Sequence, residues 1–172
     1  MGTIHETDDL LMARTRQGDP ASFDALVMRH RDGLVNYLTH LTRSRESAEE
    51  MAQETFVRLF EKAHQYRAQS RLAPYLYQIA ANLVRSDARR FKRWQNLLVR
   101  FLASDLRSHA SPQSELLAGE IEDKVQRALS ALPVSFRAAV VLREIEGWSY
   151  EEIAQALGCG SWRSVWRIVE PW

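Results

Sequence analysis

The chain has 172 residues, 45% of them hydrophobic, and its 23 Lys and Arg residues nearly balance 22 Asp and Glu residues, which leaves a net charge of +1. This composition indicates one or two small globular domains and excludes a disordered tail, a collagen-like repeat and a disulfide-rich secreted domain. A single cysteine, Cys159, leaves no internal disulfide pair. We expect a soluble, cytoplasmic protein, because no stretch approaches the ~18 apolar residues of a membrane-spanning helix and residues 1–9 do not resemble a signal peptide.

The first half of the chain is predicted to be helical. Asp19 and Pro20 mark a helix start, an N-cap residue followed by proline at the first helical position, and apolar residues recur with a helical period as far as Leu41. A second helix is predicted to begin at Ser47, because Glu50 three residues later completes a capping-box pattern. The apolar residues predicted to face inward from it are Ala48, Met51, Ala52, Phe56, Leu59, Phe60 and Ala63.

A third helix is predicted from about Leu72 to Trp94, and the apolar run at residues 97–102 either extends it or packs back onto it. Charge is segregated between this helix and the helix before it. Five basic residues accompany one acid in residues 85–93, whereas five acids accompany one base in residues 46–61. Opposite charges on neighbouring segments predict two surfaces with different partners, one of them nucleic acid. A pair of solvated helix faces is the alternative.

The stretch Ser104–Glu115 changes character, since it is rich in serine, contains Pro112 and lacks an apolar face. After it, a helix is predicted from about Val134 to Glu146, where Gly147 stops it. The expected architecture is all-α: two small helical domains, residues 9–96 and 117–172, joined by a flexible linker over residues 97–116.

Residues Ser149 to Val165 have the pattern of a helix-turn-helix. Ser149 and Glu152 form a capping box, Ala154 leaves room for a closely crossing helix, and Gly158 provides the turn. In such a motif the first helix braces the second, whose N-terminal half enters the major groove. An ordinary helical hairpin is the alternative.

The basic end of the third helix combines arginines with aromatic residues, namely Tyr75 and Tyr77 before it and Phe91 and Trp94 within it. Arginines neutralise phosphates and exposed aromatic rings stack on unpaired bases, so the mixture suits melted or single-stranded DNA. The alternative places the aromatic rings in the core and the arginines in solvent.

Enzyme motifs are missing from the sequence. The five histidines lack metal-ligand spacing, Cys159 has no cysteine partner, and there is no glycine-rich phosphate loop. We therefore expect no catalysis, metal, cofactor or small-molecule substrate. Cys159 is expected to be a small buried thiol of the turn rather than a nucleophile.

Three blocks of the chain, between about Asp9 and Cys159, resemble the extracytoplasmic-function (ECF) sigma factors of bacterial RNA polymerase. AEEMAQETFVRLFEKAHQY, residues 48–66, is similar to the family's AEDLVQEVFLRLW helix. PYLYQIAANLVRSDARR, residues 74–90, resembles TWLYRIARNLAIDHLRR, with Tyr75 where the family usually has tryptophan and Pro74 where threonine is common. ALPVSFRAAVVLREIEGWSYEEIAQALGC, residues 131–159, is close to LPERQREVLLLRELEGLSYEEIAEILGI.

The resemblance implies a sigma region 2-type domain followed by a region 4-type domain with a helix-turn-helix. It further implies a factor that binds core RNA polymerase through the clamp helices of the largest subunit, melts and reads the minus-ten element of promoter DNA, and contacts the minus-thirty-five element. An anti-sigma factor, often membrane-bound, is the implied second partner. The implied residues are Glu49, Glu50, Gln53 and Glu54 for core polymerase; Tyr75, Tyr77, Asn82, Arg85, Ser86, Arg89, Arg90 and Arg93 for the minus-ten element; and Ser149, Tyr150, Arg163, Ser164 and Arg167 for the helix-turn-helix.

The tail departs from the family's pattern from Gly160 onward. GSWRSVWRIVEPW carries three tryptophans and only two arginines in place of a basic recognition helix, and Pro171 resists helix continuation. A genuine variant, a truncation and a reading-frame change would each produce such a tail, and the abrupt shift in composition favours the frame change.

Two other classes of protein remain alternatives. A stand-alone helix-turn-helix repressor would bind duplex DNA as a dimer, with half-sites about 34 Å apart, but it leaves the acidic segment unexplained. A helical adaptor without DNA contact would leave the basic run at residues 85–93 with no role beyond contact with solvent.

Overall fold

The computed structural model describes residues 6–67, 71–102, 126–129, 131–159 and 161–169, and the side chains of these residues except 94–102, 162 and 167–169. Within these ranges the chain is helical and has no strand, which confirms the predicted all-α class. The helices are α1 (Asp8–Arg16), α2 (Pro20–Thr42), α3 (Arg45–Glu61), α4 (Leu72–Leu102), α5 (Val134–Val140), α6 (Tyr150–Leu157) and α7 (Trp162–Val169), with a 3₁₀ turn (Ala63–Gln65) after α3 and a π-helical turn (Val141–Ile145) after α5.

The N-terminal domain is built around α2, which packs against α1, α3 and α4. Leucines from three of these helices are completely buried where they meet, among them Leu26, Leu34, Leu38, Leu59 and Leu76. Each such side chain contributes about 1.5–3 kcal/mol by leaving water. The apolar period read from the sequence therefore forms the core as predicted.

The start of α2 is confirmed, and the start of α3 corrects the prediction. Asp19 caps α2, since its carboxylate accepts hydrogen bonds from the Ala21 N–H at 3.1 Å and the Ser22 hydroxyl at 2.6 Å. Helix α2 ends at Arg43, which is left-handed with φ 61°, so the chain turns at once and Ser44 caps α3. The predicted cap at Ser47 is wrong by three residues.

Two helices differ in extent from the prediction. Helix α1 was not anticipated, because its apolar residues form one short run without a helical period. Helix α4 runs to Leu102, so the apolar run at residues 97–102 extends it, and the helix crosses the predicted domain boundary at 96. The remaining predicted linker, 103–116, lies outside the described residues.

The C-terminal domain contains the predicted helix-turn-helix. The capping box of Ser149 and Glu152 is confirmed in α6, and Gly158 ends that helix in the left-handed conformation with φ 67°. The departing tail continues as a helix, α7, which packs on α6 and buries Val165 completely. Residues 160 and 170–172 lie outside the described part.

The two domains pack against each other. Helix α6 lies on the first half of α4, and α5 with its π-helical turn lies on α2. Arg137 of α5 joins them most directly, because its guanidinium donates to the backbone oxygen of Leu41 at 2.6 Å and to that of Leu129 at 2.8 Å. The helix-turn-helix is thereby held beside the basic helix.

We expect Tyr37→Phe to leave the stability of the N-terminal domain almost unchanged. The Tyr37 ring is fully buried, and its hydroxyl has no hydrogen-bond partner among the described residues. Removal of an unpaired buried hydroxyl should keep the free energy of unfolding within about 1 kcal/mol of wild type. Leu38→Ala, which opens a cavity beside it, should lose about 2–5 kcal/mol. Chemical denaturation measures both, and a loss of similar size in the two variants would contradict the expectation.

Candidate functional site

One face of α3 combines acidic and exposed apolar side chains. Glu50, Gln53 and Glu54 recur at helical spacing with Val57, Phe60 and Glu61, and all six are exposed. Because residues three, four and seven apart share a helix face, they form one continuous surface. We call this surface the α3 stripe: Glu50, Gln53, Glu54, Val57, Phe60 and Glu61.

The apolar centre of the α3 stripe corrects one prediction and adds a residue that sequence reasoning missed. Phe60 was predicted to face inward, but it is 54% exposed, and its ring meets that of Phe23 edge-on at 5.1 Å. Val57, to which no role was assigned, is 52% exposed. Val57 lies four residues after Gln53 and three after Glu54, and this helical spacing was the sequence signal that could have identified it as part of the same face.

Two of the carboxylates predicted to bind core polymerase, Glu54 and Glu49, form ion pairs within α3. Arg58 donates to Glu54 at 2.7 Å, and Arg45 donates to Glu49 at 2.8 Å. The hydrogen bond from Arg45 lowers the pKa of Glu49. Glu49 itself is only partly exposed and lies at the edge of the α3 stripe. The structure thus brings Glu50, Gln53 and Glu54 together and places Glu49 beside them.

A second exposed face, of opposite charge, runs along α4. The residues that form this face recur at helical spacing between Asn82 and Arg93. Within it, the Arg85 guanidinium donates to Asn82 Oδ1 at 2.8 Å and to the backbone oxygen of Ala81 at 3.3 Å. Arg90, at the edge of this face, lies 3.7 Å from Asp87. We call this surface the α4 stripe: Asn82, Arg85, Ser86, Arg89 and Arg93.

Neither of the two predicted stacking tyrosines is fully exposed. Tyr75 is partly buried, and its ring lies 5.8 Å from that of Tyr66. Tyr77 is only 5% exposed, and its ring centroid lies 4.9 Å from that of Tyr37 and 4.7 Å from that of Trp148, with tilted planes in both contacts. Burial, followed by the charge of Glu146, raises the pKa of Tyr77. In this arrangement its ring is covered by the C-terminal domain.

Ser149 and Tyr150, two of the residues predicted to contact DNA from the helix-turn-helix, interact with other residues of their own domain. The Ser149 hydroxyl accepts from the Glu152 N–H at 3.3 Å and donates to the Glu152 carboxylate at 2.8 Å. The guanidinium of Arg143 lies 4.7 Å above the Tyr150 ring, a cation–π contact. On α7, Arg163 is exposed and Ser164 partly exposed, and the Arg167 side chain lies outside the described part.

An open cleft of about 420 Å³ lies where the two domains meet, with Asp8, Arg71, Trp148 and Glu152 in its lining. Its charged groups are already paired: Asp8 contacts Arg29 and His30, and Arg71 contacts Glu152 at 2.6 Å. The described residues contain no cluster of three or more metal-ligating side chains. Among the same residues, no helix combines the length and the hydropathy of a membrane span.

Comparison with known families and proteins identifies both domains. The family model for Sigma-70 region 2 matches residues 26–95, and that for Sigma-70 region 4 matches residues 122–161. The RNA polymerase sigma-H factor of Pseudomonas aeruginosa is 31% identical over 162 residues, which are 90% of this chain and 84% of that protein. The ECF RNA polymerase sigma-E factor of Haemophilus influenzae is also 31% identical over 162 residues, 89% of this chain and 85% of that protein.

Two solved structures share the fold. The structure of CnrH in complex with the cytosolic domain of CnrY matches 96% of this chain and 92% of its own, with a TM-score of 0.70 and 22% identity. The sigma factor RpoE of Bartonella quintana, in complex with the anti-sigma factor NepR, matches 87% of this chain and 90% of its own, with a TM-score of 0.58 and 21% identity.

The chain belongs to the ECF sigma factors of the sigma-70 family. It is a DNA-binding transcription initiation factor that works with core RNA polymerase at promoters. The resemblance drawn from its three sequence blocks is thereby confirmed.

The capping box of α6 should make stability depend on pH through Glu152. Hydrogen bonds from the N–H and hydroxyl of Ser149, and then Arg71, lower the pKa of Glu152 from its usual 4.5. The carboxylate therefore stabilises the fold fully above that value, and its contribution is lost as pH falls through the lowered pKa. Glu152→Gln should reduce the free energy of unfolding by about 1 kcal/mol at neutral pH, and the difference from wild type should shrink in acid.

Urea denaturation at neutral pH and near pH 3 measures this difference. Glu151→Gln, which changes an exposed carboxylate next in the same helix, is the matched control and should show a smaller loss. The same loss from Glu152→Gln at both pH values would show that its carboxylate charge is not responsible.

Proposed function

We propose that the α3 stripe binds core RNA polymerase and that the α4 stripe holds the melted minus-ten element of the promoter. The observation that carries the proposal is the pair of exposed surfaces of opposite charge on successive helices of one domain. The acidic surface suits a basic protein partner and the basic one suits phosphates, so that one domain can join polymerase to DNA.

The α3 stripe has the composition of a protein interface. Val57 and Phe60 form an apolar centre, and Glu50, Glu54 and Glu61 surround it with carboxylates. Interfaces of this kind gain most of their affinity from a few buried aromatic or apolar anchors, while the charged rim steers association and orients the partner. We therefore assign Phe60 and Val57 to the polymerase contact together with the predicted Glu49, Glu50, Gln53 and Glu54.

The α4 stripe is shaped to follow a DNA strand. From Asn82 to Arg93 it extends for about 16 Å at 1.5 Å per residue, enough to follow several nucleotides. Arg89 and Arg93 would contact phosphates, while Asn82 and Ser86 offer hydrogen-bonding groups for base edges. Because Arg85 occupies Asn82 Oδ1, the amide N–H groups of Asn82 remain available as donors.

In the C-terminal domain we assign the minus-thirty-five contact to Arg163, Ser164 and Arg167 of α7. Ser149 contacts Glu152 and Tyr150 contacts Arg143, both inside the C-terminal domain. These contacts support a bracing role for Ser149 and Tyr150. Since α7 carries two arginines, Arg163 and Arg167, the minus-thirty-five contact would use few phosphates, and the minus-ten contact would dominate affinity.

We further propose that an anti-sigma factor regulates the chain in the cytoplasm, and that the chain is itself not catalytic. The shared fold with CnrH and with RpoE, whose structures contain CnrY and the anti-sigma factor NepR respectively, supports such a partner. Cell fractionation tests whether the pair is held at the membrane.

Glu54→Arg and Phe60→Ala should each weaken binding to core RNA polymerase. The first reverses a charge on the rim, and the second removes the apolar anchor, so we expect losses of about tenfold or more. Titration of labelled protein with purified core polymerase measures both. Asp32→Arg, at a carboxylate that is 94% exposed on α2, is the matched control. Equal weakening by the control would mean that net charge, rather than the α3 stripe, determines binding.

Arg85→Ala combined with Arg89→Ala should leave polymerase binding intact and abolish promoter opening. Each lost phosphate contact should also reduce the salt dependence of DNA affinity, by a slope of about one. Permanganate footprinting of the polymerase–promoter complex measures opening. Arg14→Ala with Arg31→Ala removes two exposed arginines elsewhere and should have no such effect. Loss of polymerase binding in the Arg85 and Arg89 variant would indicate a structural role for this helix end.

A further inference from the structure

The apolar face of α4 extends beyond the core that it helps to form. Leu83 is 9% exposed and Val84 6% exposed where α4 packs inside the N-terminal domain. One turn later Ala88 is exposed, and Phe91, seven residues after Val84 and therefore on the same face, is 64% exposed. The face that is buried at Val84 is thus open to solvent at Phe91.

The helical backbone continues from there to Leu102, and we call residues 88–102 the α4 extension. At 1.5 Å per residue it is about 21 Å long. Spacings of three, seven and eleven residues assign further positions to the face of Phe91. The residues at these positions are Trp94, Leu98 and Leu102. By sequence and helical register, the α4 extension therefore has one predominantly apolar face.

The other face of the α4 extension is basic. The extension contains no Asp or Glu, which gives it a net charge of +5 from Arg89, Arg90, Lys92, Arg93 and Arg100. Arg93 follows Arg89 by four residues and precedes Arg100 by seven, so these three positions share the face opposite Phe91. The first four of the basic residues are exposed. One helix thus combines an apolar face with a strongly basic face.

Anionic lipid is the ligand class whose chemistry matches both faces. A basic helix with Phe, Trp and Leu on one side lies in the plane of a membrane surface, with its apolar side at the boundary of the acyl chains and its basic side among anionic headgroups. A nucleic acid would engage the basic face and leave Phe91 in water. A second copy of the chain on the apolar face would place two net charges of +5 side by side, a repulsion that a lipid surface avoids.

We infer that the α4 extension is an amphipathic helix that binds anionic phospholipid at a bilayer surface. The face of Phe91 enters the headgroup region, and the basic residues contact lipid phosphates. Ala88 and Phe91 are not part of the α4 stripe, so the apolar half of this surface is distinct from the proposed minus-ten contact. Arg89 and Arg93 belong to both surfaces, so lipid would compete with DNA for them.

The first test measures co-sedimentation of the full-length chain with vesicles. Vesicles of phosphatidylglycerol and phosphatidylcholine should bind it at least about tenfold more tightly than vesicles of phosphatidylcholine alone, because basic residues are attracted to the anionic surface. Phe91→Ser should weaken binding to the mixed vesicles about tenfold, since it removes an apolar side chain from the lipid boundary. Phe136→Ser, at an exposed phenylalanine of the C-terminal domain, is the matched control.

Three results of this measurement would overturn the inference. Equal binding to the two kinds of vesicle would exclude anionic lipid as the ligand. Equal weakening by Phe91→Ser and Phe136→Ser would exclude the face of Phe91. Absence of binding to either kind of vesicle would leave the apolar face to a protein partner instead.

A second pair of variants tests the basic face in the same assay. Arg90→Gln combined with Lys92→Gln should weaken binding to the mixed vesicles about tenfold or more, because two headgroup contacts are lost. Arg14→Gln combined with Arg31→Gln makes the same change in net charge at two exposed arginines elsewhere. Equal weakening by the two pairs would show that overall charge, rather than the α4 extension, attracts the chain to lipid.

A fluorescent label distinguishes insertion of the apolar face from adsorption through the arginines alone. In a Cys159→Ser background, a nitrobenzoxadiazole label is attached to Ala88→Cys or to Ser86→Cys; Ser86 lies about 140° around the helix from Phe91. With the mixed vesicles, the emission of the label at position 88 should shift to shorter wavelength and increase several-fold, whereas the label at position 86 should stay in water. The same response at both positions, or none at position 88, would overturn the inference.

Discussion

Burial of one face of α4 is the constraint on which the rest of this molecule depends. Leu76, Ala80 and Leu83 recur at helical spacing and fix the helix against the core, so the residues half a turn away must face outward. The exposure of the α4 stripe follows from that packing. A helix in this position cannot rotate to hide its arginines without exposing its leucines, and the packing of the core therefore fixes the orientation of the basic surface.

The same rule acts on α3 and sets the relation between the two surfaces. Its buried side, with Ala52, Phe56 and Leu59, packs inside the domain, and the α3 stripe lies opposite. Surfaces of opposite sign are thus held on one rigid core by packing alone. A carboxylate-rich face disfavours anionic ligands and an arginine-rich face disfavours basic ones, so the charge pattern favours different classes of ligand at the two surfaces.

Local signals in the sequence predicted local structure well and contacts between distant residues poorly. The caps at Asp19 and Ser149 and the turn at Gly158 depend on neighbouring residues, so they were readable from the chain. Ser44 displaced the predicted cap at Ser47 because the left-handed turn at Arg43 determines where α3 can begin. The exposure of Phe60 depends on which side chains the fold places beside it. The contact of Tyr77 with Trp148 joins residues far apart in sequence. Neither feature can be predicted from the periodicity of apolar residues.

The polar and aromatic contacts between the two domains are individually weak. In the ion pair of Arg71 with Glu152 the arginine side chain is 74% exposed and the glutamate side chain 30%, and ion pairs near the surface contribute about 1 kcal/mol or less. The aromatic contact adds about 0.5–1.5 kcal/mol beyond its burial. The packing of the two domains therefore depends on several contacts of modest strength together with the burial of the Tyr77 ring beside Trp148.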